Sequence, residues 1–292
     1  VQHEETSDNS ASLKQVLADS PENSSVPTPN NPPWNSWTAV GIWLASVFFI
    51  IFFPAVFTFP YLSSQSVGIN DMAATESFLL SDPTAAILQV VSIIPAHLLT
   101  LFLAWLVVTN SRQFSFRETL GWKMNGFKIW HTIALFIFFY TVAVSLTLLF
   151  GDVENEFEKM LKTSRTVVYL VAFLAVFTAP LVEEVVYRGL LYSAFQRKFG
   201  IPIAVFLVTL LFTAVHVPQY SNSDVPDYAT ILTLLIVSLS LTLIRVWTGN
   251  LLPCIILHIV FNGLQAILLI LQPYLPDLNM QNVEKTGLFV FR

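Results

Sequence analysis

The sequence predicts an all-α fold, a polytopic bundle of about seven transmembrane helices (six to eight) behind a disordered N-terminal tail. Three observations carry this. Of the 292 residues, 54% are apolar and only 11% charged, well under the roughly 25% with which a soluble domain wets its surface. Mean hydropathy is +0.66. From Trp37 onward, long apolar runs alternate with short polar joints. None of them shows the alternating segments of about ten residues that mark a transmembrane barrel.

Residues 1–36 hold Glu, Asp, Ser, Asn and five prolines. Such a stretch buries too little apolar surface to offset its ordering entropy, so it reads as a disordered tail. It lacks the basic-then-apolar order of a secretory signal, and without that context the sequon Asn23-Ser24-Ser25 carries no meaning. A bilayer core about 30 Å thick needs roughly 20 helical residues. Runs 37–59, 84–109 and 129–150 meet that length without one Asp, Glu, Lys or Arg. A fourth run, 166–195, is apolar to Val182 and then carries Glu183, Glu184 and Arg188. Runs 201–217, 228–247 and 251–271 complete the set. The fifth is short and ends at His216-Val217-Pro218, which predicts a helix that stops early or tilts. Residues 154–165 read either as an amphipathic piece at the membrane surface or as a solvated loop. Basic residues divide eight to five between the two sides of a seven-span chain, favouring a cytoplasmic N-terminus.

The net charge of −5 offers no basis for nucleic-acid binding. One cysteine, Cys254, excludes an intramolecular disulfide, and its apolar neighbours make it a small buried hydrophobe.

An ionisable side chain at the bilayer centre costs about 2.5–3.5 kcal/mol on insertion scales, so such residues face a protein interior or a wet cavity. Three clusters qualify. In Pro180-Leu-Val-Glu183-Glu184-Val-Val-Tyr187-Arg188, Glu184 and Arg188 share a helical face and can pair. Glu183 points about 100° away, without that partner. A carboxylate taken from water binds a proton more readily, as a general base must. Pro180 loosens the preceding turn and admits water. The second cluster is Phe212-Thr-Ala-Val-His216, at the end of the short run. The third is His258-Ile-Val-Phe-Asn262, whose imidazole and amide project from one face. A salt-bridged helix end, a capping histidine and a hydrogen-bonded pair are the corresponding structural readings. By contrast His97, His131, Gln89 and Gln265 have no partner at helical spacing and are assigned to packing. Together the clusters offer a base, imidazoles to orient water, and donors for a developing oxyanion. No Gly-x-Ser-x-Gly or His-Glu-x-x-His occurs.

Glu183-Glu184-Val-Val-Tyr-Arg188, Phe212-Thr-Ala-Val-His216 and His258-Ile-Val-Phe-Asn262 resemble, in order and spacing, the motifs of the CPBP family, which includes the CAAX prenyl endopeptidases and bacteriocin-processing intramembrane proteases. The likeness covers residues 115–272, with Leu120-Gly121-Trp122 also similar. It implies a helical core around a water-filled cavity and an intramembrane endopeptidase. Glu183 would be the base, His216 would help activate water, and His258 with Asn262 would form the oxyanion hole. Glu184 and Arg188, with Phe212, would order the site. The expected organisation is thus a tail (1–36), N-terminal transmembrane helices (37–110), the protease core (111–275) and a C-terminal tail (276–292).

No cofactor is expected. Zinc on Glu183, His216 and His258 is the disfavoured alternative, since those side chains are also zinc-ligand types. The expected partners are a peptide or membrane-protein substrate, CAAX-like or bacteriocin-like, and the lipid bilayer. The expected location is a membrane, the plasma (inner) membrane if the source is bacterial. A non-catalytic immunity or scaffold protein, or a proton or ion transporter, could use the same intramembrane Glu and His residues.

Overall fold

The computed structural model describes residues 26–274 apart from 66, 68–70, 152, 223 and 224. Among these residues every regular element is a helix. In chain order they are α1 (Ser36–Ser64), α2 (Met72–Ser81), α3 (Pro83–Val108), α4 (Phe116–Leu120) and α5 (Ile129–Phe150). There follow α6 (Glu156–Lys162), the long α7 (Arg165–Phe199), α8 (Ile201–His216), α9 (Tyr228–Thr248) and α10 (Leu252–Leu271). Six helices (α1, α3, α5, α7, α9 and α10) are long and apolar enough to cross a membrane. The fifth expected run forms α8, whose 16 residues fall short of that length. Helices α2 and α4 were not foreseen. Residues 154–165 give α6, with Asn155 accepting from the Glu158 N–H at its start.

Polar side chains placed where the first-turn N–H groups lack partners start these helices. Asn35 accepts from the Thr38 N–H at 2.9 Å. Asp82, just ahead of Pro83, accepts from the Ala85 N–H at 2.8 Å. Asp227 and Ser164 do the same for α9 and α7.

Helix α7 widens into π-helical turns twice, at Leu174–Thr178 and Val185–Leu191. Pro180 has no N–H to give to the carbonyl four residues back, and its ring crowds that carbonyl. The wider turn absorbs this, with the Ala179 N–H reaching Leu174 O. Fully buried Val185, Leu190 and Leu191 of the second wide turn pack with Val208 and Phe212 of α8, Leu234 of α9 and Leu251 in the main apolar core. Helix α1 lies along α3, α8 along α9, and α5 against α9. Phe48, Phe52 and Phe59 on α1 and Phe138 on α5 face outward, where acyl chains would lie.

Residues 1–25, with the sequon, and the tail 276–292 lie outside the described residues. Residues 26–35 correct the expectation of a disordered tail as far as residue 36: they form a strap across the ends of α7 and α9. Arg245, 1% exposed, donates to Asn30 Oδ1 (3.0 Å) and Pro29 O (2.6 Å). Arg197 donates to Pro32 O and Trp34 O, both at 2.6 Å. Trp34 is itself buried and donates its indole N–H to Leu190 O at 3.1 Å. Composition counts apolar surface and so misses a segment held by its own carbonyls. Gly121 sits where this strap meets the α9–α10 joint. Its φ is +78°, its carbonyl accepts from the Leu251 N–H, and an added Cβ would stand 2.8 Å from Pro29 and 2.9 Å from the Asn250 Cα.

Candidate active site

The wide second turn of α7 brings Glu184 and Arg188 inside the bundle, both 0% exposed. Their pairing is the expected one: Arg188 Nη1 donates to Glu184 Oε1 at 2.9 Å. The rest of the guanidinium is spent on α9, with Nη2 donating to Ser238 O (3.0 Å) and Ser238 Oγ (2.9 Å), and Nε to Thr242 Oγ1 (3.3 Å). Phe212 of α8 lies under it, its ring centre 4.8 Å from the guanidinium carbon. The rigid fork thus makes four hydrogen bonds to acceptors on two helices.

His258 of α10 joins this pair. Its Nδ1 is 2.8 Å from the same Glu184 oxygen. An ionised carboxylate only accepts, so Nδ1 carries a hydrogen and Nε2 is turned the other way. There it meets Glu183, with Nε2 3.8 Å from Oε2. That gap is too long for a direct hydrogen bond. A single water placed about 2.8 Å from each atom would span it. Unlike Glu184, the Glu183 side chain is 22% exposed.

His216 closes α8 and stacks on Phe212, the ring centres 4.6 Å apart. Its Nδ1 is 2.7 Å from Phe212 O. Because a carbonyl only accepts, Nδ1 carries a hydrogen, and Nε2 is the ring nitrogen not engaged by this contact. Phe212 also faces His258, at 6.4 Å between rings, so this one aromatic separates the two imidazoles. Asn262 stands one turn beyond His258 on α10, but its amide donates to Ala175 O, in the first wide turn of α7, at 2.9 Å. One of its two amide hydrogens is therefore committed to α7.

Tyr220 is buried in the segment after α8, edge-on to Phe157. Burial above all, and then the charges of Glu183 and Asp227, push its phenol up, so it stays neutral. Among the described residues no group of three or more His, Cys, Asp or Glu side chains is placed to hold a metal ion. Glu183, His216 and His258, the alternative zinc set, do not make such a group.

The residues assigned to packing divide. His131 accepts from the Lys128 N–H at 2.8 Å and stacks on Trp130, a capping role. Gln89 donates to Leu79 O. Gln265 is buried with neither amide atom partnered. His97 is different: its Nδ1 lies 2.9 Å from Thr178 Oγ1 on α7. The sequence signal was an imidazole in the middle of an otherwise uncharged apolar run. Its partner, 81 residues away, was not visible.

Residues 165–264 match the family described as Type II CAAX prenyl endopeptidase Rce1-like. The matched stretch is narrower than the likeness read over 115–272, yet it holds all three motifs. No curated protein and no solved structure matches the chain. The family match bears out the resemblance drawn from the motifs. With its six apolar helices the chain is an integral, multi-pass membrane protein, and over residues 165–264 it is similar to a protease family.

Proposed function

We propose, from that family match, that the chain is an intramembrane endopeptidase in which Glu183 activates the attacking water. The observation that carries this reading is His258, fixed by the buried Glu184–Arg188 pair and turned toward a Glu183 oxygen 3.8 Å away.

Glu183 takes a proton from the water as its oxygen bonds to the scissile carbonyl carbon, and the carbonyl electrons move onto oxygen. His216 helps orient that water through its Nε2. His258 and the uncommitted hydrogen of Asn262 stabilise the oxyanion. The C–N bond then breaks, and the amine leaves with the proton that Glu183 held. For His258 to donate through Nε2 it must carry both ring protons. With that proton, two carboxylates, one guanidinium and one imidazolium sum to zero. Without it, a surplus negative charge would sit in an apolar surround.

The substrate class is a CAAX-like or bacteriocin-like peptide or membrane protein, and the chemistry needs only this chain and water. The test is digestion of farnesylated and unmodified peptides by the purified protein in proteoliposomes. Glu183→Gln is expected to lower the rate by at least about 100-fold with the fold intact, the usual worth of a general base. Cleavage at the wild-type rate overturns the mechanism.

A further inference from the structure

We infer that Trp34 is a positioning residue for Glu183: its indole N–H, donated to Leu190 O, holds the second wide turn of α7 and with it the register of the site. This rests on the reading of Glu183 as the base.

The turn at Val185–Leu191 starts directly after Glu184 and carries Arg188. Its bonds reach back five residues, as the Tyr192 N–H does to Tyr187 O. Such turns are rare inside α-helices, and one holds a residue more than an α-turn does. Relaxing to α geometry would rotate the stretch before it by about 100° against the stretch after it, one residue's share of a 3.6-residue turn. Glu183 and Glu184 stand on one side of that joint, and Ser193 and Arg197 on the other.

Both sides are gripped. Ahead of the joint, Glu184 Oε1 meets Arg188 and His258 at 2.9 and 2.8 Å. Behind it, Ser193 Oγ donates to Pro29 O at 2.8 Å, and Arg197 donates to Pro32 O and Trp34 O. Within the turn the strap makes its own bond, from the Trp34 indole to Leu190 O at 3.1 Å. Trp34 is 4% exposed and belongs to the same apolar cluster as Leu190 and Leu191, which keeps water from competing for that carbonyl. The first wide turn is served in the same manner, its Ala175 O accepting from the Asn262 amide at 2.9 Å. At each wide turn, then, a side chain from another segment supports the backbone. Trp34 lies outside residues 165–264, so the strap contributes to the site from beyond the matched stretch. What it protects is the 3.8 Å spacing of Glu183 and His258, which a rotation at the joint would change.

Two changes to the strap's contacts separate this role from general anchoring. Replacing Trp34 by benzothienylalanine puts sulfur where the indole N–H stands and keeps the size of the ring. Ser193→Ala loosens the strap at Pro29 but leaves the Leu190 bond intact. Peptide cleavage is measured in proteoliposomes well below the thermal midpoint and scaled to the folded protein. The Trp34 replacement is expected to lower kcat about tenfold with KM unchanged, since misplacing a reacting group taxes the chemical step. Ser193→Ala is expected to cleave at close to the wild-type rate. Wild-type kcat after the Trp34 replacement overturns the inference. So does an equal loss of kcat in both variants, which would assign the effect to strap anchoring as a whole. Glu183→Gln is assayed alongside. If it still cleaves, the reading of the base itself fails; if it is inactive while the Trp34 replacement is normal, only the role of Trp34 is lost.

Discussion

Replacing Arg188 by methionine tests the frame of the site most directly. The side chain is fully buried, and its removal deletes one charge-assisted bond to Glu184, two bonds to Ser238 and one to Thr242. Methionine fills much of the volume, so the loss is chiefly electrostatic. Glu184 would keep its bond to His258 while its Oε2 remains without a partner. Breaking a buried pair by removing one member costs about 3–5 kcal/mol, because the other charge is left uncompensated. Removing both charges avoids that residue, so Glu184→Gln/Arg188→Met is expected to lose about 2 kcal/mol less than the sum of the single changes. Unfolding of the detergent-solubilised protein, titrated with denaturant and followed through tryptophan fluorescence, measures each cost. A single-variant loss under about 1 kcal/mol, the range of an exposed pair, refutes the reasoning. So does strict additivity. The double variant should also cleave poorly even when folded, since His258 loses the carboxylate that sets its ring.

Gly121→Ala is expected to cost about 2 kcal/mol or more in the same titration, from the left-handed backbone and the crowded Cβ together; a neutral result would mean the joint yields freely. Trp34→Phe keeps the ring packing but removes the donor to Leu190 O, so a loss of about 1 kcal/mol is expected. A value near zero would show that water replaces the indole. Treatment with a strong chelator should leave peptide cleavage unchanged, whereas loss restored by added zinc would reverse the metal-free reading.

The motifs were legible because helical spacing is local. Glu184 and Arg188 meet as their four-residue separation requires, and the short run at 201–217 does end early, at His216. Contacts between helices were not legible in the same way. Nothing in the run 84–109 reports that His97 lies beside Thr178, and nothing in His258-Ile-Val-Phe-Asn262 reports that the amide turns to Ala175. The strap was missed for a different reason. Its Pro and Asn residues resemble those of a disordered chain, and what orders it is two guanidiniums, Arg197 and Arg245, far along the sequence. The wide turns of α7 follow from Pro180 only in part. The proline explains the first; the second has no such residue.

Arg188 makes the seam between α7 and α9 polar, whereas α5 meets α9 and α10 in an apolar cluster that includes Phe139, Leu241, Leu257 and Phe261. In hydrocarbon these seams are unequal. Acyl chains replace phenylalanine and leucine at little cost, because lipid is as greasy as they are. No acyl chain can replace the hydroxyl and carbonyl of Ser238. Sideways parting of the barrel of helices is therefore cheap on the α5 flank and prohibitive on the other.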